Sequence, residues 1–188
     1  MKRTKMGRQK SIDRDHLLDL AEGIVREHGA SALTIDALAK AAGVTKGGVQ
    51  YTFASKAALI DAICTRWMAS YQALFDKLVV PDPTPVDVIR AHVGATFQDA
   101  QPAETKAASL MTGLLQSPEF MAATREWYEG RASDLDLTTP EGRRARLAFL
   151  ATEGAFALRY LGLKEIAPDD WSGIFDDIKT FLLPKEGS

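Results

Sequence analysis

"LTIDALAKAAGVTKGGVQYTFASK" (Leu33–Lys56) decides how this chain folds. It reads as two short helices on either side of a turn. Thr34 is a capping residue, and Ile35, Leu38, Ala39 and Ala42 follow at helical spacing. Gly43 allows a sharp turn, because a residue without Cβ tolerates positive φ. Thr45 caps the next helix, which reaches about Thr52. That helix is an odd one. Gly47 and Gly48 each cost about 1 kcal/mol of helix stability relative to alanine. Val44, Val49 and Phe53 can anchor it inward. Gly47, Gly48, Gln50, Tyr51 and Thr52 are then left on the outer face. A helix that enters the DNA major groove needs polar side chains outward and a close approach of its backbone. An ordinary pair of packed helices would explain Val49 and Phe53, but not the outward Gln50–Tyr51–Thr52 cluster.

Outward from this stretch, apolar spacing stays helical and strand signals are weak, so the chain is expected to be all-α with about nine helices. Ser11 is expected to cap a first helix with Leu17, Leu20, Ala21, Ile24 and His28 along its buried stripe, ended by Gly29. Ser55 caps a fourth helix, with Leu59, Ile60, Ile63 and Trp67 spaced for burial, running to about Leu78. "PDPTP" (Pro81–Pro85) breaks the chain, since proline removes a backbone donor and restricts the residue before it. Further helices are predicted over Val86–Ala100, Ala103–Gln116, Pro118–Arg131, Pro140–Leu161 and Pro168–Leu182. Proline opens three of them, and Ser117 and Thr139 stand before it as capping hydroxyls.

Composition narrows the function. Of 188 residues, 46% are hydrophobic and 26% charged, as in ordinary globular proteins. No apolar run approaches the ~20 residues that span a bilayer. No apolar segment of a secretory signal follows the basic start. Cys64, the single cysteine, excludes an internal disulfide and suits a reducing, cytoplasmic setting. The net charge of −2 hides an asymmetry: residues 1–66 hold 11 Lys/Arg against 7 Asp/Glu, and the rest hold 12 against 18. The first part is therefore the one suited to a polyanion. Lys2, Arg3, Lys5, Arg8 and Lys10 form a basic arm, either a solubilising tail or one that lies along phosphates.

The segment "LTIDALAKAAGVTKGGVQYTFASKAALIDAI" resembles the DNA-binding region of tetracycline-repressor (TetR) type transcriptional regulators. Capping threonine, A-x-x-A-G-V turn, recognition helix and F-x-S-K follow in that family's order. The resemblance covers about Ile12 to Trp67. It implies a DNA-binding helix-turn-helix domain over residues 1–55 with its basic arm, and a ligand-binding, dimerising domain over residues 56–188. Carried over by position, the DNA contacts would be Thr34, Thr45, Lys46, Gly48, Gln50, Tyr51, Thr52 and Lys56. Many members place tyrosine where this chain has Gln50, so the operator sequence does not carry over.

The C-terminal residues supply two further expectations. Trp67, Tyr71 and Phe75 lie on the fourth helix, and the following helices can bring Phe97, Met111, Leu115, Trp127 and Phe156 to them. These would enclose an apolar or aromatic effector. Glu153 interrupts an apolar stretch. It is either a surface glutamate at the edge of a dimer seam or a carboxylate partnered by arginine, water or a cationic ligand group. Leu147, Leu150, Gly154, Leu158 and Leu161, with Trp171, Phe175 and Ile178 of the last helix, are expected to pair with a second copy in a four-helix interface. The expected partners are thus double-stranded DNA with a palindromic operator, a small-molecule effector and a second copy of the chain, with no membrane.

Two rival readings remain. A ligand-independent helix-turn-helix protein would share the DNA-binding half. A helical enzyme has less support. His16, His28 and His92 are the only histidines, and none forms the Glu-x-x-His motif of a di-iron bundle. No phosphate-binding glycine loop is present, no metal or cofactor is called for, and Cys64 lies in an apolar stripe that suits a buried structural thiol.

Overall fold

The computed structural model describes residues 13–99 and 118–184. Among these, eight α-helices occur and no strand. They are α1 (Arg14–His28), α2 (Ile35–Ala42), α3 (Lys46–Thr52), α4 (Lys56–Leu78), α5 (Pro85–Asp99), α6 (Pro118–Ala132), α7 (Pro140–Tyr160) and α8 (Pro168–Asp177). A π-helical turn, Ile178–Leu182, continues α8. The predicted helix Ala103–Gln116 lies outside the described residues, as does the basic arm. The chain divides into two compact units, Met1–Ile63 and Cys64–Ser188, so the division falls inside α4.

In the first unit the local caps set the path. The Asp13 carboxylate accepts from Asp15 N–H at 3.0 Å and starts α1, in place of the expected Ser11, which is not among the described residues. The buried stripe of α1 is Leu17, Leu18, Ala21 and Val25. The expected stripe was rotated from this: Leu20 and Ile24 are half-buried, and His28 is exposed beside Glu27. Leu18 and Val25 also fit helical spacing, and packing by α2 and the 3₁₀ turn Ala30–Ala32 chooses between the faces. Gly43 adopts φ 64°, ψ 31°, the left-handed geometry expected for the turn. Leu38 and Val49 are fully buried and pin α2 and α3 to the unit's core.

The second unit packs α5 along α7, with α6 and α8 against α5. α5 also starts on proline, so four helices do so among those described. Thr84 and Asp87 form a reciprocal cap: Thr84 Oγ1 donates to the Asp87 carboxylate at 2.6 Å and accepts from Asp87 N–H at 3.2 Å. The Thr84 hydroxyl holds the Asp87 carboxyl below its usual pKa, with Arg90 contributing. Thr139 caps α7 through Gly142 N–H at 3.0 Å. Gly142 has a reason inside the chain, since a Cβ there would sit 2.1 Å from the Asp136 carbonyl oxygen. The core gathers Ile89, Val93, Phe149, Trp171, Phe175 and Ile178. Cys64 is buried.

Candidate functional site

α3 is held by its two ends and one apolar side. Val49 is fully buried and Phe53 is 3% exposed, while Val44 is half-buried. With that side fixed, Gln50 faces solvent and Tyr51 is 95% exposed. Thr52 is half-buried. A large aromatic so fully exposed makes no packing contribution to its own unit. Gly47 is equally unexplained from within, because a Cβ there would meet nothing within 4 Å. Gly48 is half-buried and donates its N–H to Thr45 Oγ1 at 3.1 Å.

The other expected contacts, Thr34, Thr45, Lys46 and Lys56, are exposed. Thr34 Oγ1 accepts from Ala37 N–H at 3.0 Å, as Thr45 does from Gly48. Each hydroxyl still has its own hydrogen to donate, which a phosphate oxygen could accept. Lys46 Nζ lies 3.0 Å from the Asp36 carboxylate, and both side chains are more than half exposed. Such a surface pair is worth little, so its ammonium can exchange partners easily. Lys56 differs: its Nζ donates to the Ala30 carbonyl at 3.1 Å and ties the start of α4 to the 3₁₀ turn Ala30–Ala32.

In the second unit, four helices converge on one polar chain. His92 of α5, 1% exposed in its side chain, sits between Tyr71 of α4 and Glu153 of α7. Tyr71 Oη lies 2.7 Å from His92 Nδ1, and Tyr128 of α6 donates to Glu153 Oε2 at 2.5 Å. Burial raises the pKa of both phenols well above the ordinary value. Near Tyr71 the Arg131 charge offsets this in part, and near Tyr128 the Glu153 charge adds to it. Both phenols therefore stay protonated. His92 Nε2 stands 3.0 Å from Glu153 Oε1, yet it lacks an aligned hydrogen bond, so the contact is one of proximity rather than of a well-directed bond.

Aromatic rings surround this chain. Trp127 meets Tyr71 and His92 edge-on at 5.5 and 5.8 Å between centroids, and Phe149 lies 5.0 Å from His92. Arg131 stacks 3.7 Å from the Phe75 ring centroid and donates to Gln72 at 2.8 Å. The Trp127 indole N–H is buried without a hydrogen-bond partner among the described residues.

The structure thus brings together Tyr71, Phe75, Trp127 and Glu153 from the expected pocket. Trp67 is half-buried on α4. Phe97 packs on Phe175 at 5.5 Å, and Phe156 stacks on Tyr160 at 4.2 Å. Met111 and Leu115 lie outside the described residues. Glu153, 21% exposed, is neither a free surface glutamate nor paired with arginine: its carboxylate accepts from Tyr128 and lies 3.0 Å from His92. Sequence reasoning missed His92 and Arg131 as members. The available signal was His92 itself, a polar residue between Ala91 and Val93 in an apolar helix.

The expected interface residues separate into two sets. Leu147, Leu150 and Leu158 are 50%, 57% and 40% exposed on one face of α7. Gly154 lies on that face, and a Cβ there would meet nothing within 4 Å. Leu161 is half-buried. Trp171, Phe175 and Ile178 are a correction: at 4%, 0% and 4% exposure they fill the chain's own core and present nothing to a partner. Phe181, on the π-helical turn, is 68% exposed instead.

Comparison with known proteins matches both units to one family. Residues 17–63 fit the model for bacterial regulatory proteins of the tetR family, and residues 86–182 fit that for the tetracyclin repressor-like C-terminal domain. The chain belongs to the TetR family. It is a TetR-family transcriptional regulator whose helix-turn-helix is α2, Gly43 and α3. A relative from Mycobacterium tuberculosis (strain ATCC 25618 / H37Rv) is 27% identical over 129 residues. That relative, MftR, is provisionally named as a transcriptional regulator of mycofactocin biosynthesis. The match covers 68% of this TetR-family chain and 64% of MftR, less than two thirds of that relative's length. The fold is shared with the crystal structure of a transcriptional regulator from Rhodococcus sp. Rha1, at a TM-score of 0.63 and 21% identity, covering 91% of this chain and 96% of that one. Among the described residues, no helix is long and apolar enough to cross a membrane.

Proposed function

We propose that this TetR-family regulator is an effector-responsive repressor that binds a palindromic operator as a homodimer. The observation that carries the reading is the outer face of α3, where Tyr51 is 95% exposed beside Gln50 and Gly47. The domain reading remains as the sequence suggests, with residues 1–55 for DNA and 56–188 for effector and partner. Gln50 can pair bidentately with adenine and Thr52 can touch a thymine methyl. Thr34, Thr45, Lys46 and Lys56 would serve phosphates, Lys56 by exchanging the Ala30 carbonyl, and Gly47 and Gly48 would admit a groove wall. Two copies would place their α3 helices about one DNA turn apart, ~34–36 Å. The exposed face of α7, from Leu147 to Leu158, would join the copies.

The effector would enter the aromatic cluster of Tyr71, Phe75 and Trp127, with the unpartnered Trp127 N–H as one hydrogen-bond donor. It releases DNA only by binding one conformer more tightly than the other. α4 contributes to both units and is the covalent link through which that preference would pass. One observation favours a second reading. The rings already pack at 5.0–6.0 Å around His92 and Trp127, so the cluster can serve as core in a ligand-independent regulator.

Selection of bound duplexes from a random-sequence pool tests the DNA reading. Enrichment of a palindrome with half-site centres one turn apart supports it, and enrichment of single, unpaired half-sites refutes the dimer. Tyr71→Ala or Trp127→Ala should impair effector release while sparing ligand-free DNA binding. Unchanged release in both would leave the ligand-independent reading standing.

A further inference from the structure

A cavity of about 420 Å³ lies in the second unit, at the start of α5 and α7. It is separate in composition from the aromatic cluster and shares no lining residue with it. Its size falls in the range of small-molecule pockets, ~300–1,000 Å³. Val86, Leu182, Leu183 and Pro184 give it apolar walls. Leu182 closes the π-helical turn and Leu183 follows it, so an irregular stretch of helix forms one side. Single π turns concentrate at functional sites.

The polar lining is uneven. Arg90 and Arg144 both reach the cavity. Arg90 has an acidic partner, the Asp87 carboxylate at 2.8 Å. Arg144 does not: its Nε–H is buried and has no hydrogen-bond partner among the described residues. A buried guanidinium N–H left without an acceptor is unfavourable. Glu141, the acid among the lining residues, is exposed in the first turn of α7, where it suits the positive end of the helix dipole. The Thr139 hydroxyl is already engaged with Gly142 N–H and the Asp136 carbonyl. Arg144 is therefore a cation on the cavity lining with no acidic partner among the described residues.

We propose that this cavity is a second small-molecule site, for an organic carboxylate with an apolar body, whose carboxylate pairs with the Arg144 guanidinium while the body lies against Val86 and Leu182. It extends the functional reading above and does not depend on the aromatic cluster.

Calorimetric titration of the full chain with phenylbutyrate, phenylbutanol and phenylbutylamine tests it. These probes share a body and differ in head group. Phenylbutyrate should bind about tenfold or more tighter than the alcohol, since a charge-assisted hydrogen bond contributes at least that factor. The amine should bind weakest. Arg144→Gln should bring the carboxylate down to the alcohol's affinity, and Leu182→Trp should fill the cavity and weaken all three. Trp127→Ala should leave them unchanged. Thermal unfolding checks each variant, and Leu182→Trp decides the site if Arg144→Gln fails to fold. No saturable binding, preference for the amine, or carboxylate binding that survives both cavity substitutions overturns the proposal. Binding lost in Trp127→Ala alone also overturns it, while leaving the aromatic effector site intact.

Discussion

α3 and α7 both turn an outward face to solvent, and both carry on it a glycine that nothing among the described residues requires. Gly47 and Gly154 would each accept a Cβ with no neighbour inside 4 Å. Their surroundings differ. Around Gly47 stand Lys46, Gln50 and Tyr51, donors and acceptors on a seven-residue helix. Around Gly154 stand Leu150 and Leu158 on a helix of 21 residues. A polar face on a short helix suits a hydrated target read by hydrogen bonds, whereas an apolar stripe on a long one suits another helix. Gly142 is the control, a glycine fixed by its own chain through the Asp136 carbonyl.

The largest expected effect comes from spoiling the apolar face. Leu158→Glu places a charge in the seam, and sedimentation should show monomers. Operator affinity should fall more than ~100-fold, because each copy then holds half a palindrome and the second site no longer gains from linkage. An unaltered dimer would place the interface elsewhere than on α7.

Gly47→Ala and Gly154→Ala sharpen the comparison. Each should raise the intrinsic stability of its helix by about 0.5–1 kcal/mol. Gly47→Ala should nonetheless weaken operator binding, and Gly154→Ala should weaken dimerisation. Gly142→Ala should instead lower stability by about 1–3 kcal/mol through backbone overlap. Calorimetry with DNA titration separates the three. If Gly47→Ala stabilises the protein and leaves operator affinity unchanged, no groove wall comes near it.

Lys46→Ala should have a smaller and more specific effect. Its pair with Asp36 is exposed and contributes little to stability. Loss of a phosphate contact should reduce the slope of log affinity against log salt by about 1. A slope equal to the unsubstituted protein's would remove Lys46 from the interface.

The smallest effect is on pH. Burial pushes the Asp99 carboxyl up from 3.8 to about 6. The folded state then holds more protons than the unfolded one between those values. Stability should fall as pH rises from about 4 to about 6 and remain lower above it. Asp99→Asn should flatten that slope in thermal unfolding.

What could be read in advance follows from how local each signal is. Thr34, Gly43, Thr45 and Ser55 act on backbone within a few residues of themselves, so the helix-turn-helix was legible. The face of α1 was not, because Leu18 and Val25, seven apart, fit helical spacing as well as Leu20 and Ile24, four apart, and packing by α2 and the 3₁₀ turn decides between them. Trp171, Phe175 and Ile178 were read as needing cover, which they do, but a sequence does not say whether the cover is the same chain or another. His92 gains its meaning only from Tyr71, Trp127 and Glu153, which arrive from three other helices.

The central claim is that α3 is shaped for contact and not for its own packing, and Tyr51→Ala tests it most directly. Thermal unfolding and operator titration should be read on the same sample. The melting temperature should stay within that of the unsubstituted protein, because a side chain 95% exposed gives its fold almost nothing. Affinity for the selected operator should drop by about 1–3 kcal/mol, roughly five- to 150-fold. A folded Tyr51→Ala protein that binds the operator at full affinity would contradict the account.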